Sequence, residues 1–181
     1  GAGDDVVRAG VGDITVVYSG DNGSFDELFN GSGRTSIVAE ADGTVIGLRR
    51  YENSAEGIDG AGHSRVTLQA ANTWDGLLDF SQTVVTDIAL IRGGDKYETI
   101  VGSDFSALTV ESRGGDDEIR AGDADLAIVY SGADGSFDRV INGTGLTSIY
   151  ALSDGTVIGL TQYDNGADVI DGSGYDGVTI Q

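Results

Sequence analysis

The chain has 181 residues, with 30 Asp and Glu against 10 Lys and Arg, and a net charge of −20. That balance excludes nucleic acid as a partner, because no basic face exists to neutralise phosphates, and no apolar run reaches the roughly 18 residues of a membrane-spanning helix. Cys and Met are absent and 30 Gly occur with no Pro, so there is no disulfide framework, and the Gly content is unlike that of flexible linkers, which carry Pro and Ser as well.

Short apolar clusters follow one another along the chain. They are Val6-Val7, Ile14 to Val17, Leu28-Phe29, Ile37-Val38, Val45-Ile46, Ile58, Val66 to Leu68 and Leu77-Leu78, then Ile88 to Ile91, Ile100-Val101, Leu108 to Val110 and Ile119. They recur about every ten residues, the strand-plus-turn spacing of an all-β fold. Between them stand Gly, Asp, Asn and Ser, which supply positive φ and local side-chain hydrogen bonds. No window keeps a 3.6-residue period, so very little helix is expected.

From Gly115 to Gln181 the chain repeats Gly3 to Gln69 without insertion or deletion, at an offset of 112 residues and with 39 of 67 positions identical. A gap-free repeat of this length marks a structural unit stacked along an array. It divides the chain into a first unit, 3–114, and a partial second unit, 115–181, within one continuous solenoid 1–181. The first copy opens inside a Gly-Asp motif and the second stops partway through its unit, so the sequence reads as an excerpt of a longer array.

Sandwich strands would be longer, and a propeller blade repeats near 40–50 residues. The expected fold is therefore all-β, a parallel β-solenoid (β-helix or β-roll) with coils of roughly 20–30 residues. One segment leaves two readings open. Ser36–Ala41 and Thr44–Leu48, joined by Asp42-Gly43, suit a hairpin or a tight solenoid corner, and the second copy repeats the choice at Asp154-Gly155.

Of the 30 acids 23 are Asp, set overwhelmingly in Gly-rich turns. Solubility is one explanation; hard oxygen ligands for a divalent cation are the sharper one. Several turns approximate the nonapeptide G-G-x-G-x-D-x-U-x, where U is a large apolar residue. They are Gly1-Ala2-Gly3-Asp4-Asp5-Val6-Val7, Arg113-Gly114-Gly115-Asp116-Asp117-Glu118-Ile119, Asn165-Gly166-Ala167-Asp168-Val169-Ile170 and Gly172-Ser173-Gly174-Tyr175-Asp176-Gly177-Val178. On these motifs the chain resembles the RTX (repeats-in-toxin) family of calcium-binding extracellular bacterial proteins. Residues 77–103 also resemble segments of very large repetitive bacterial surface proteins.

The resemblance implies calcium held by Asp4, Asp5, Asp116, Asp117, Asp168, Asp171 and Asp176. Departures from the pattern are Lys96 and Glu98, where Gly and Asp belong, and Ser64 at another Asp position. It further implies a secreted, cell-surface protein, a structural scaffold of an adhesin, surface layer or filament. Its partners would be further copies of the repeat, by self-association, or a cell-surface polysaccharide. The alternative is the β-helix portion of a secreted polysaccharide-active enzyme.

Little in the sequence points to catalysis. His63, the only histidine, becomes Tyr175 in the second copy and reads as a surface turn residue. The adjacent pairs Asp4-Asp5 and Asp116-Asp117 point apart on a strand or turn, which a glycosidase pair does not allow. The basic residues are scattered, and Arg34, Arg49 and Arg50 become Leu146, Thr161 and Gln162. The recurring aromatics Tyr18, Phe25, Tyr51, Tyr130, Phe137 and Tyr163 read as core, and the lone Trp74 as a core plug or a surface contact.

Overall fold

The structure, a computed structural model, describes residues 3–21, 23–72, 76–133, 135–161 and 166–181; Gly1, Ala2, Trp74, Gln162, Tyr163 and Asn165, discussed above, lie outside the described residues. The described strands are two to eight residues long and every pairing between them is parallel. They wind into a β-solenoid of about eight turns, and no helix occurs among the described residues.

Three faces line the coil. The first contains Val6–Arg8, Asp26–Phe29, the end of Val45–Glu52, Gly76–Asp79, Glu98–Val101, Glu118–Arg120 and Arg139–Ile141. The second contains Ile14–Tyr18, Thr35–Ala39, Gly57–Asp59 and Val84–Thr86. The third contains the start of Val45–Glu52, then Thr67–Ala70, Leu90–Arg92, Leu108–Glu111, Leu126–Tyr130, Thr147–Ala151 and Val169–Asp171. Val157–Ile158 and Thr179–Ile180 pair in a separate ladder.

Strand alternation sends one apolar residue per rung inward, and parallel register stacks those residues in columns. Leu78, Ile100, Ile119 and Val140 form one column, Ile37 and Ile58 with Val85 a second, and Ile46, Leu68, Ile91, Val110, Ile128 and Ile149 a third, all of them buried. Each such side chain contributes about 1.5–3 kcal/mol by burial. The core is thus a stack of short rungs, which explains how a chain with 39% hydrophobic residues folds.

The Asp42-Gly43 segment is a corner. Thr35–Ala39 pairs within the second face while Val45–Glu52 pairs in the first and third, so the two never form a hairpin. The turn closes with the Thr44 N–H donating to Ala41 O at 3.3 Å, and Gly43 sits at φ 70°, where a side chain would strain the backbone.

Coil length runs from 18 residues, between the paired Val110 and Ile128, to 27, between Ile58 and Val85. The short coils have room for two sides, the long ones for three. Beyond Val84–Thr86 the second face ends, and the Val85 N–H is taken by Ser106 Oγ at 2.9 Å instead of a strand. A consequence is that the two copies do not use the same faces. Val16, Ile37 and Ile58 lie in the second face, whereas their repeat partners Ile128, Ile149 and Ile170 continue the third. Val7 and Ile119 do share the first face. Ile58 pairs on both sides and is fully buried; Ile170 pairs with Ile149 on the last described rung of the third face.

Candidate functional site: the stacked carboxylates

The corners interrupt the strand ladder, and each interruption leaves a backbone N–H without a carbonyl in the next coil. Short acidic side chains take those N–H groups. Asp4 Oδ1 accepts from Phe25 N at 2.9 Å, Asp13 Oδ1 from Arg34 N at 2.9 Å, and Asp42 Oδ1 from Ser64 N at 2.9 Å, each reaching forward one coil. The second copy repeats the bonds: Asp116 to Phe137, Asp125 to Leu146 and Asp154 to Asp176, all at 2.9 Å. Other acids reach back one coil. Asp26 Oδ1 accepts from Asp5 N, Asp138 Oδ1 from Asp117 N, and Asp168 Oδ2 from Thr147 N. A charged acceptor strengthens such a bond roughly twofold over a neutral one.

At Asp4, Asp42 and Asp171 hydrogen bonding depresses the carboxyl pKa. Asp4 is held below the usual range by the Phe25 N–H and then by Arg49, Asp42 chiefly by the Ser64 N–H, and Asp171 by the hydroxyl and N–H of Ser173.

The seven residues implied as calcium ligands therefore occupy three kinds of position. Asp4, Asp116 and Asp168 bond backbone N–H groups of neighbouring coils. Asp171 closes its own turn onto Ser173 N at 2.7 Å, while the main chains of Asp5 and Asp176 donate to Asp26 and Asp154. Asp117 alone is buried, 1% exposed. Among the described residues no three acids or histidines converge as a metal group. Calcium takes six to eight oxygens, backbone carbonyls among them, and Asp4, Asp116 and Asp168 each commit one carboxylate oxygen to a backbone N–H.

Inside the first face a different arrangement appears. Glu98, Asp117 and Asp138 occupy successive rungs of one inward column, and all three are buried. Asp138 is well supplied with donors: Ser112 Oγ and Tyr130 OH each donate to Oδ2 at 2.7 Å, and Asp117 N donates to Oδ1 at 3.0 Å. The first copy keeps this at Asp26, which accepts from Tyr18 OH at 2.7 Å and from Asp5 N. Glu98 and Asp117 are less well provided. Glu98 Oε2 accepts from Gly94 N at 3.1 Å and Asp117 Oδ1 from Glu98 N at 2.7 Å, but Glu98 Oε1 and Asp117 Oδ2 are buried without a hydrogen-bond partner. Burial pushes Glu98 up to about 7 and Asp117 up to about 9. Two charged carboxylates this close in a dry interior are untenable, so the pair retains a proton near neutral pH.

The sequence pattern missed this column. Glu98 read as a departure from an Asp ligand position, yet its spacing of 19 residues to Asp117, and of Asp117 by 21 to Asp138, matches the coil. Tyr18 and Tyr130 read as core packing; they are core and also donors to buried acids.

An open groove of about 440 Å³ lies along the third face, lined by Arg92, Asp95, Glu111, Arg113, Tyr130 and Ser131 among others. Its charges balance: Arg92 Nε lies 2.9 Å from Glu111 and Arg113 3.9 Å from Asp95.

No family model, no curated protein and no solved structure matches this chain. Its geometry defines a class, the parallel β-solenoid repeat proteins.

Proposed function

We propose that the chain is a stiff structural segment of a long, repetitive, secreted bacterial surface protein, serving as a spacer in an adhesin, surface layer or filament. The observation that carries this reading is the unbroken ladder of the first face, which crosses the junction between the repeat units through the pairs Ile100–Ile119 and Ile119–Val140. About eight turns at a strand spacing of roughly 4.8 Å give a rod roughly 40 Å long. Its corners are tied coil to coil by carboxylates, and the groove at Arg92 and Arg113 offers compensated charge, an arrangement that favours structure over capture of an anionic substrate. The partners in this reading are further copies of the repeat.

Small-angle scattering tests it. An elongated distance distribution, lengthening in proportion when a complete second unit is added, is expected; a globular distribution that swells in all directions would overturn it. The corner bonds hold the coils without calcium in this reading, so melts in millimolar calcium and in chelator should coincide. A large calcium-dependent rise in Tm would return the corners to cation binding.

A further inference from the structure

The outward row of Thr147–Ala151 and its flanks is Leu146, Ser148, Tyr150 and Leu152. Leu146 is 49% exposed, Tyr150 36% and Leu152 47%. Ser148 between them is buried, as is Val129 opposite Tyr150, so the exposed part of the row is Leu146, Tyr150 and Leu152, with the half-buried Ala127 opposite Ser148. At about 3.3 Å per residue the row runs roughly 20 Å along the strand without a charge.

The repeat provides an internal control. The same row in the first copy is Arg34, Ser36, Val38 and Glu40, so the second copy carries Leu146 in place of Arg34 and Leu152 in place of Glu40. The inward residues are unchanged: Thr35, Ile37 and Ala39 correspond to Thr147, Ile149 and Ala151. The first copy's row lies on the second face and this one on the third, so a strand with the same inward residues folds with charge at both flanks. Three large exposed apolar side chains within seven residues of one strand and its flanks make this row a candidate contact site.

The surroundings say what covers it. Residues 121–181 contain nine Asp, no Glu, and one base, Arg139, which lies on the first face and donates to Glu118. Asp125 and Asp154 are exposed, Asp125 accepting the Leu146 N–H and Asp154 lying two residues past Leu152. Asp171 pairs in register with Tyr150. A second copy would set the same acids against one another, which disfavours self-pairing through this row.

We propose that this row is a docking surface for a basic amphipathic protein segment, its apolar side chains over Leu146, Tyr150 and Leu152 and its Lys or Arg residues toward Asp125, Asp154 and Asp171. Amphipathic segments bind apolar rows in this manner, with charge around the contact setting partner choice.

The probe is a fluorescently labelled amphipathic Leu/Lys peptide, with a Ser/Lys peptide of equal charge as control, followed by anisotropy at physiological salt. The test variant is Leu146→Arg with Leu152→Glu, which installs the first copy's residues and leaves net charge unchanged. The Leu/Lys peptide should bind the wild type and lose about tenfold or more in affinity for the variant, the cost of two buried leucine contacts. The Ser/Lys peptide should bind both weakly and equally. Tyr150→Val, again the first copy's residue, provides a second variant and should weaken binding severalfold, deciding the matter if the double variant melts early. Equal affinity of wild type and variants, or equal binding of the two peptides, would reduce the effect to net charge and overturn the proposal. A wild-type dimer in sedimentation that the same substitutions abolish would also overturn it, assigning the row to a second copy.

Discussion

The buried pair Glu98 and Asp117 makes the chain's stability depend on pH in a direction opposite to that of most acidic proteins. Both groups are raised by desolvation, Glu98 from 4.5 to about 7 and Asp117 from 3.8 to about 9. A raised acid is protonated in both folded and unfolded states below its unfolded pKa, so its contribution is fully present there. Above that value the unfolded chain releases the proton and the folded chain does not, and stability falls until the folded pKa is passed. The loss should therefore run from about pH 4 to about pH 9. For Glu98 alone the shift corresponds to about 3 kcal/mol. The two groups share the effect, so their shifts do not add.

Glu98→Gln removes one charge and keeps the shape. The amide oxygen can still accept the Gly94 N–H, and the amide nitrogen replaces the unpartnered Oε1, where it can donate to Asp117 Oδ2. The variant should be more stable than the wild type by about 2–3 kcal/mol at pH 8 and by less than about 1 kcal/mol at pH 5. Urea unfolding at pH 5, 6.5 and 8 reads both values. A wild type equally stable at pH 5 and pH 8, together with a variant destabilised at both, would refute the reasoning.

The exposed acids act in the other sense. Asp4, Asp42 and Asp171 have lowered pKa values, so their contribution is present above the ordinary carboxyl range and lost as pH falls through the depressed values; melts should show a stability maximum near pH 5, falling on both sides. Tyr130→Phe takes one of the donors from buried Asp138 and should cost about 1–3 kcal/mol in urea unfolding, with Tyr18→Phe giving a similar loss at Asp26. Gly47→Ala places a methyl 1.9 Å from Ser24 O and should destabilise by about 2–4 kcal/mol, as should the repeat-equivalent Gly159→Ala, whose methyl would lie 1.8 Å from Ser136 O. Arg65 sits at φ 58°, where the second copy has Gly177 at φ 71°; Arg65→Gly should therefore raise Tm slightly, by up to about 1 kcal/mol of stability.

The all-β, parallel coil was legible because one apolar cluster per ten or so residues leaves a rung nothing else to do than stack. The faces were not. Whether a coil has two sides or three depends on its total length, and Ser106 ends the second face with one hydroxyl that no periodicity marks. The Asp42-Gly43 corner stayed ambiguous because an Asp-Gly pair suits a hairpin and a solenoid corner equally, and the partner of Thr35–Ala39 lies a full coil away. The Gly-Asp turns left the site reading open for a related reason. A short carboxylate beside a glycine is suited to a cation or to a backbone N–H, and the choice depends on which donor the next coil presents.

That choice explains why identity between the copies falls where it does. Asp4 and Asp116, Asp13 and Asp125, Asp26 and Asp138, and Asp42 and Asp154 make the same bond to the equivalent backbone N–H in both units. Where the side chain differs, at Glu56 and Asp168, the bond survives: each accepts from the N–H of the corresponding threonine, Thr35 or Thr147. Asn30 and Asn142 likewise both accept from those threonines' hydroxyls. Two of the five donors differ, Ser64 standing for Asp176 and Arg34 for Leu146, which the bond allows because only their main chain is used. Stacking acids at every corner would make adjacent coils repel, and a donated N–H at each carboxylate offsets that repulsion locally while leaving the chain strongly anionic. The Asp excess is thus part of the coil-to-coil bonding, and the outward strand positions, released from that task, are where the two units diverge.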